Sequence, residues 1–255
     1  MSRAPRRPAS LARPRGQVGC PACAEVEEIL RRLDPALRVE GADLMARYRR
    51  ALRKVSARAP AERWQDRLIV RKIRPGASVL DLGCGAGDLL AELMCRRRVR
   101  AQGIELDPEE VVRCVERGVP VLQGDLDHGL QGFPDRSFDY VVLEETLQTL
   151  HRPLTVLSEM LRVGREGIVS FPNFAWWKVR LSLMIEGRMP ETERLPYRWY
   201  DTPNIHLFTL RDFLDWAERE RVRILGGYAY ESGRVRPLRE DDNLDAEEAL
   251  LFLRR

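Results

Sequence analysis

The chain predicts an α/β fold, a mainly parallel sheet with helices on both faces. Three observations carry that expectation. From about residue 66 onward, short apolar runs alternate with amphipathic ones, the pattern of strands alternating with helices. A glycine-rich turn, Gly83-Cys84-Gly85-Ala86-Gly87, stands at a strand-to-helix junction. Acidic residues stand at or just past the ends of three strand-like runs: Asp81, Glu105 and Asp125.

The elements follow in order. Residues 1–23 form a basic tail rich in Arg, Pro, Ala and Gly, expected to be disordered because it cannot bury enough surface to offset chain entropy. Residues 24–60 form a helical appendage. Val26, Ile29, Leu30 and Leu33 recur at helical spacing until Asp34-Pro35 breaks the run, and Leu44, Met45, Tyr48, Leu52 and Val55 share one face before Pro60. Residues 61–255 form the main domain. Strands are expected at 78–82, 100–105, 119–123, 139–143 and 167–171, with helices at 88–96, 108–117 and 154–162. Pro108 opens the second of these helices at its first turn. A long irregular stretch covers 187–208. Thr209 then caps a helix reaching Glu220, with Asp212 completing an acidic variant of the capping box. Two last strands are expected at 222–230 and 248–253.

Composition excludes several classes. The 255 residues are 44% hydrophobic and 32% charged, enough for a sizeable core under a hydrated surface. No uncharged apolar run reaches 18 residues, so no membrane-spanning helix is expected. The basic N-terminus is not followed by an apolar signal segment, and Arg6-Arg7 makes a poor twin-arginine signal, so the expected location is cytoplasmic. The net charge of +4 comes from the tail: its first 15 residues hold five arginines and no acid, leaving 38 basic against 39 acidic residues elsewhere. A body without a basic excess is a poor nucleic-acid binder. Five cysteines, an odd number, argue against a disulfide framework. Cys20-Pro-Ala-Cys23 has metal-ligand spacing but is half a site, with no second pair to complete it, so no metal is assigned.

The candidate site gathers at the carboxyl ends of the strands, where open α/β sheets bind ligands. Gly83, Gly85 and Gly87 permit a tight turn and close backbone approach to a ligand. Asp88 replaces the last glycine of a dinucleotide fingerprint, and no Gly-Lys-Ser/Thr follows, which excludes a phosphate-binding loop. Glu105, at the end of the second strand, is placed to accept hydrogen bonds from ribose hydroxyls, and Asp125, past the third, from an exocyclic amino group.

The run Asp81-Leu82-Gly83-Cys84-Gly85-Ala86-Gly87 resembles the Rossmann-like class I S-adenosylmethionine (SAM) methyltransferase fold. That resemblance implies a seven-stranded sheet with the last strand antiparallel, and SAM or S-adenosylhomocysteine as cofactor. It also implies a cofactor site that includes Asp81 and in which the backbone of Gly83, Cys84 and Gly85 lines the methionine moiety. Glu105 then holds the ribose, with Leu106 in the same site, Asp125 and Leu126 flank adenine, and Glu144 borders the ligand.

A narrower resemblance lies further on. Thr146-Leu147-Gln148, Glu159-Met160-Leu161-Arg162-Val163-Gly164, Ser170-Phe171-Pro172-Asn173-Phe174, Leu195-Pro196-Tyr197 and above all Trp199-Tyr200-Asp201-Thr202-Pro203-Asn204-Ile205-His206-Leu207 are similar to the MetW family of methionine biosynthesis proteins. Ala86 and the pair Glu144-Glu145 depart from that family's usual pattern. The resemblance implies an accessory or regulatory partner of a homoserine O-acyltransferase. A small-molecule methyltransferase is the alternative, with the aromatic stretch Trp176, Trp177, Tyr197, Trp199 and Tyr200 as an acceptor pocket or a partner surface. His151, His206, Glu144, Glu145 and the tyrosines are then the available bases. A third reading uses the arginine tail as an arm toward RNA. Phe171-Pro172-Asn173-Phe174 follows the fifth strand rather than the fourth, which sets it apart from the motif of nucleic-acid amino-methyltransferases.

If the appendage is separate from the main domain, deleting residues 1–60 leaves SAM affinity unchanged by titration calorimetry. Insoluble protein or lost binding would show that the appendage is part of the core.

Overall fold

A computed structural model describes residues 63–192, 194–239 and 242–255. The basic tail, both appendage helices and the Cys20/Cys23 pair lie outside the described residues.

One sheet organises the described chain. Its strands are β1 (Ser78–Leu82), β2 (Arg100–Glu105), β3 (Val121–Gln123), β4 (Phe138–Glu144), β5 (Gly164–Pro172), β6 (Arg223–Glu231), β7 (Arg234–Pro237) and β8 (Glu248–Arg254). They lie in the order β3-β2-β1-β4-β5-β8-β6-β7. The pairs β1/β2, β1/β4, β2/β3 and β4/β5 are parallel, while β8 runs antiparallel between β5 and β6. The expected seven strands are therefore eight. The addition is β7, joined to β6 by Ser232 and Gly233, both with positive φ (47° and 87°). Such a two-residue turn matches the twist of a hairpin. Ser232-Gly233 is itself a turn signal that could have revealed it.

The helices are α1 (Trp64–Lys72), α2 (Asp88–Arg97), α3 (Pro108–Glu116), α4 (Pro153–Val163), α5 (Trp177–Leu181), α6 (Leu210–Arg219) and α7 (Asp242–Asp245), with a π-helical turn at Ser182–Glu186. Alternate strand residues point to opposite faces. Leu80, Leu82, Val141, Leu143, Val169 and Phe171 pack with Leu157 and Met160 of α4 and Phe213 and Trp216 of α6. Val79, Tyr140, Val142 and Ile168 pack on the other face with Ile69 of α1, Leu90 and Leu93 of α2, and Cys114 of α3. Burial on both faces explains why these strands read as continuous apolar runs.

Local chemistry sets the helix starts. Asp107 accepts from the Glu109 N–H at 2.8 Å ahead of Pro108. Thr209 and Asp212 form the expected reciprocal box. Between Glu186 and Leu210 the described residues hold no helix or strand, as the sequence suggests. The third strand starts at Val121 rather than 119, since Pro120 has no N–H for a ladder. Helices α1 and α5 were not anticipated.

Asn173 explains the Phe171-Pro172-Asn173-Phe174 run. Its side chain is buried, and its amide donates to the carbonyls of Asn243 (3.0 Å) and Ala246 (2.9 Å). Its oxygen accepts from the N–H groups of Ala175 (3.1 Å) and Leu210 (3.0 Å). One side chain thus ties the end of β5 to the start of α6 and to the approach to β8. Asn173→Ala strands four buried backbone groups and should destabilise the fold by about 3 kcal/mol, a melting point lower by roughly 6–12 °C. Thermal unfolding at the wild-type temperature would show the staple to be dispensable.

Candidate functional site

The site is built at the carboxyl edge of β1, β2 and β4. Gly83 turns the chain at φ +76°, and a Cβ there would lie 2.6 Å from Thr146 Oγ1. Gly87, at φ +77°, packs where a Cβ would meet Cys114 Sγ at 2.9 Å. Gly85 differs: its φ is +52°, yet nothing lies within 4 Å of the position a Cβ would take. The outer glycines serve close packing, and the middle one faces open space.

Glu105 shapes this turn. One carboxylate oxygen accepts from the Gly85 N–H at 2.8 Å, the other from the N–H groups of Leu106 (2.8 Å) and Asp107 (3.0 Å). Leu106 is 62% exposed beside it, an apolar surface at the rim. Cys84 is buried, with its sulfur 3.9 Å from Cys114; both thiols are free and burial raises their pKa. Asp125 accepts from the Asp127 N–H at 2.9 Å and approaches His128 at 3.3 Å, capping a short 3-10 turn. The Leu126 side chain lies in the core.

The other wall is acidic. Asp81 and Glu144 are buried at the ends of β1 and β4, and Glu248 is buried at the start of β8. Burial pushes the Asp81 carboxyl up to about 7, against the opposing pull of Arg63. Burial also raises Glu144 well above the usual carboxylate range, with Arg63 at 4.0 Å. Glu248 is pushed up to about 8 by burial and by neighbouring Glu145, while Arg194 at 3.4 Å opposes. Trp64 Nε1 donates to Glu248, and Gln65 Nε2 donates to Glu145 at 2.7 Å. Glu145 has φ +50°, unusual for a residue with a side chain. Buried Glu144 Oε1, Gln65 Oε1 and Gln148 Oε1 accept no hydrogen bond.

Sequence reasoning missed Arg63, Trp64, Gln65, Arg194 and Glu248. The first three open a helix that had not been separated from its surroundings, and Arg194 sits in irregular chain. Both candidate histidines, His151 and His206, are exposed. The backbone N–H groups of Ile205 and His206 donate to the Gln148 carbonyl at 3.0 Å each. Trp176 and Trp177 are buried, whereas Tyr197, Trp199 and Tyr200 are exposed. A separate groove of about 800 Å3 lies at the opposite edge, lined by Lys72, Arg74, Asp139, Arg165, Glu166 and Arg254 among others. Its charges largely pair with one another.

Residues 63–253 match the family model described as methionine biosynthesis protein MetW. The chain belongs to the MetW family. This MetW-family chain is 38% identical over 199 residues to the bifunctional methionine biosynthesis protein MetXA/MetW of Rhodopirellula baltica, covering 73% of the chain and 32% of that protein. It spans about a third to a half of the length of the curated relatives it matches. An S-adenosylmethionine-dependent methyltransferase from Mesorhizobium loti superposes with a TM-score of 0.56 at 16% identity, over 75% of this chain and 97% of that one. The [4+2]-cyclase SpnF superposes at 0.55 and 17% identity, over 79% and 85%. These likenesses show the class I SAM methyltransferase fold. No helix among the described residues is long and apolar enough to cross a membrane.

The residues present fit a SAM-like ligand. Open space over Gly85, a carboxylate at the end of β2 and an exposed apolar rim suit a nucleoside, and the unpartnered acceptors suit a cationic, donor-rich group. The acidic wall also makes a prediction. A carboxyl whose pKa is raised by folding keeps its proton when the unfolded chain has lost it. Stability therefore falls as pH rises from the ordinary carboxylate range toward about 8 for Glu248. Glu248→Gln removes that slope while keeping an acceptor for Trp64. The melting temperature of the variant relative to wild type should rise between pH 5 and pH 8; a constant difference would overturn this assignment.

Proposed function

We propose that this chain binds SAM at the carboxyl edge and acts in the cytoplasm as an accessory or regulatory partner of a homoserine O-acyltransferase. The observation that carries this reading is the relative named MetXA/MetW, in which a region similar to this chain makes up about a third of one polypeptide. Joining two parts in one chain gives each a high effective concentration toward the other, which is useful when they work together. The acyltransferase is the partner the family resemblance implies.

The residues at the edge have definable tasks in this reading. Glu105 accepts from ribose hydroxyls while its remaining lone pairs hold the turn. Gly85 leaves room for the methionyl part, and Leu106 lies against the nucleoside beside Asp125. Asp81 and Glu144 face the cationic groups of the ligand. SAM, when bound, supplies a sulfonium methyl group. Because SAM is made from methionine, its occupancy reports the output of the pathway.

The alternative, methyl transfer to a small molecule, is favoured by one observation. Asp81 and Glu248, with pKa raised toward neutrality, are suited to take a proton from an acceptor. SAM turnover with any metabolite acceptor would favour it over the accessory role.

Two measurements test the proposal. SAM at about 100 times its dissociation constant should stabilise the fold by roughly 2.7 kcal/mol, a melting shift on the order of 5–10 °C. The shift should shrink or vanish in Glu105→Ala and in Gly85→Val, whose side chain enters the open space over the turn. Acyltransferase activity, assayed with and without this chain across SAM concentrations, should change with both. An acyltransferase indifferent to the chain would overturn the partnership, and an absent thermal shift would overturn the ligand.

A further inference from the structure

Large apolar side chains are unevenly exposed on this molecule. Among the described residues, eight of the fourteen large hydrophobics that are exposed fall between 183 and 207. Five of them, Tyr197, Trp199, Tyr200, Ile205 and Leu207, stand within one eleven-residue span, and Trp199 is 76% exposed. Indole and phenol rings in water forfeit the area they would otherwise bury, so such a concentration needs a reason.

The span is held in shape. Leu195 is buried at its start, and Phe208 at its end lies 4.8 Å from the Phe171 ring. Asp201 accepts from the Arg198 N–H at 2.6 Å, and the N–H groups of Asp201 and Thr202 return to the Arg198 carbonyl. Trp199 and Tyr200 meet edge to face at 5.5 Å. The Gln148 carbonyl anchors Ile205 and His206. A braced loop that presents aromatic rings outward loses little conformational entropy when it docks.

We propose that the 197–207 loop is the surface by which this chain docks on its acyltransferase partner. The inference rests on the accessory reading above and adds the place of contact. Scaled by ordinary side-chain areas, the five exposed residues of the loop present on the order of 600 Å2, most of the share of about 800 Å2 that each partner gives to a standard stable interface. The largest apolar patch on a typical monomer is about 300–600 Å2. Tryptophan and tyrosine are also the residues that most often anchor such contacts. The chemistry expected of the partner is an apolar recess that accepts the Trp199 indole, with a polar rim facing Arg198 and Asp201.

The test uses the full chain and a purified homoserine O-acyltransferase from the same source. Affinity is measured by titration calorimetry for wild type, Trp199→Ala, Tyr200→Ala and the control Val115→Ala, which removes an exposed apolar side chain on α3. Both loop variants should weaken binding at least tenfold and Trp199→Phe less, while Val115→Ala binds as wild type. Melting temperature and the SAM-induced shift should stay unchanged in all four. Wild-type binding that survives both loop variants would overturn the docking site and leave the partnership standing. Absence of wild-type binding would overturn the partnership and the docking site together. Loop variants that only dissolve a homodimer in sedimentation, with acyltransferase affinity intact, would assign the loop to a second copy of this chain instead.

Discussion

The carboxylate of Glu105 organises the edge on which the rest depends. It accepts from Gly85, Leu106 and Asp107, so a single side chain joins the glycine turn after β1 to the exit of β2. Gly87, the last glycine of that turn, is the cap from which α2 starts, and Asp107 is the cap from which α3 starts. Of the three helices on that face of the sheet, α2 thus has its cap two residues after a group this carboxylate holds, and α3 has its cap at one. Glycines at 83 and 87 are required by packing, which leaves Gly85 as the glycine of the turn that faces open space.

Around that opening the chain concentrates negative charge at a cost. Burying carboxyl groups without full compensation disfavours their ionised form, and burial accordingly raises the pKa of Asp81, Glu144 and Glu248. Arg63 and Arg194 offset some of this, and Trp64 and Gln65 add hydrogen bonds. Buried groups arranged to this net disadvantage are uncommon where stability alone matters. A cationic ligand would relieve the strain, lowering these pKa values as it binds.

The strands that carry the edge were legible because both faces are buried: Ser78–Leu82 and Phe138–Glu144 read as apolar runs of the right length. The glycine turn and Glu105 were legible from chemistry local in sequence. The acidic wall was only half visible. Asp81 and Glu144 announced themselves at strand ends, but Glu248 enters from an antiparallel strand whose first residue meets Pro172 across β5, a pairing no local pattern encodes. Trp64 and Gln65 reach Glu248 across more than 180 positions. Likewise Asn173 stood in a run set apart from a catalytic motif but given no role, and its part as a staple follows only from partners 37 to 73 positions away. The extra strand β7 was missed for a local reason: Ser232-Gly233 carries the turn, but the four residues after it are too few and too charged to read as a strand.

The exposed loop and the acidic wall share their roots. Gln148, whose carbonyl anchors Ile205 and His206, donates its amide to the Glu145 carbonyl at 2.6 Å. Arg194, which precedes the loop, lies against Glu248 and over the Tyr230 ring at 4.3 Å. Gln148 thus anchors the loop while holding the backbone of Glu145, next to buried Glu144. The fold superposes on both a methyltransferase and a cyclase, so it does not choose the function by itself. Beside that shared frame, this chain carries buried carboxyls at the carboxyl edge and an exposed aromatic loop.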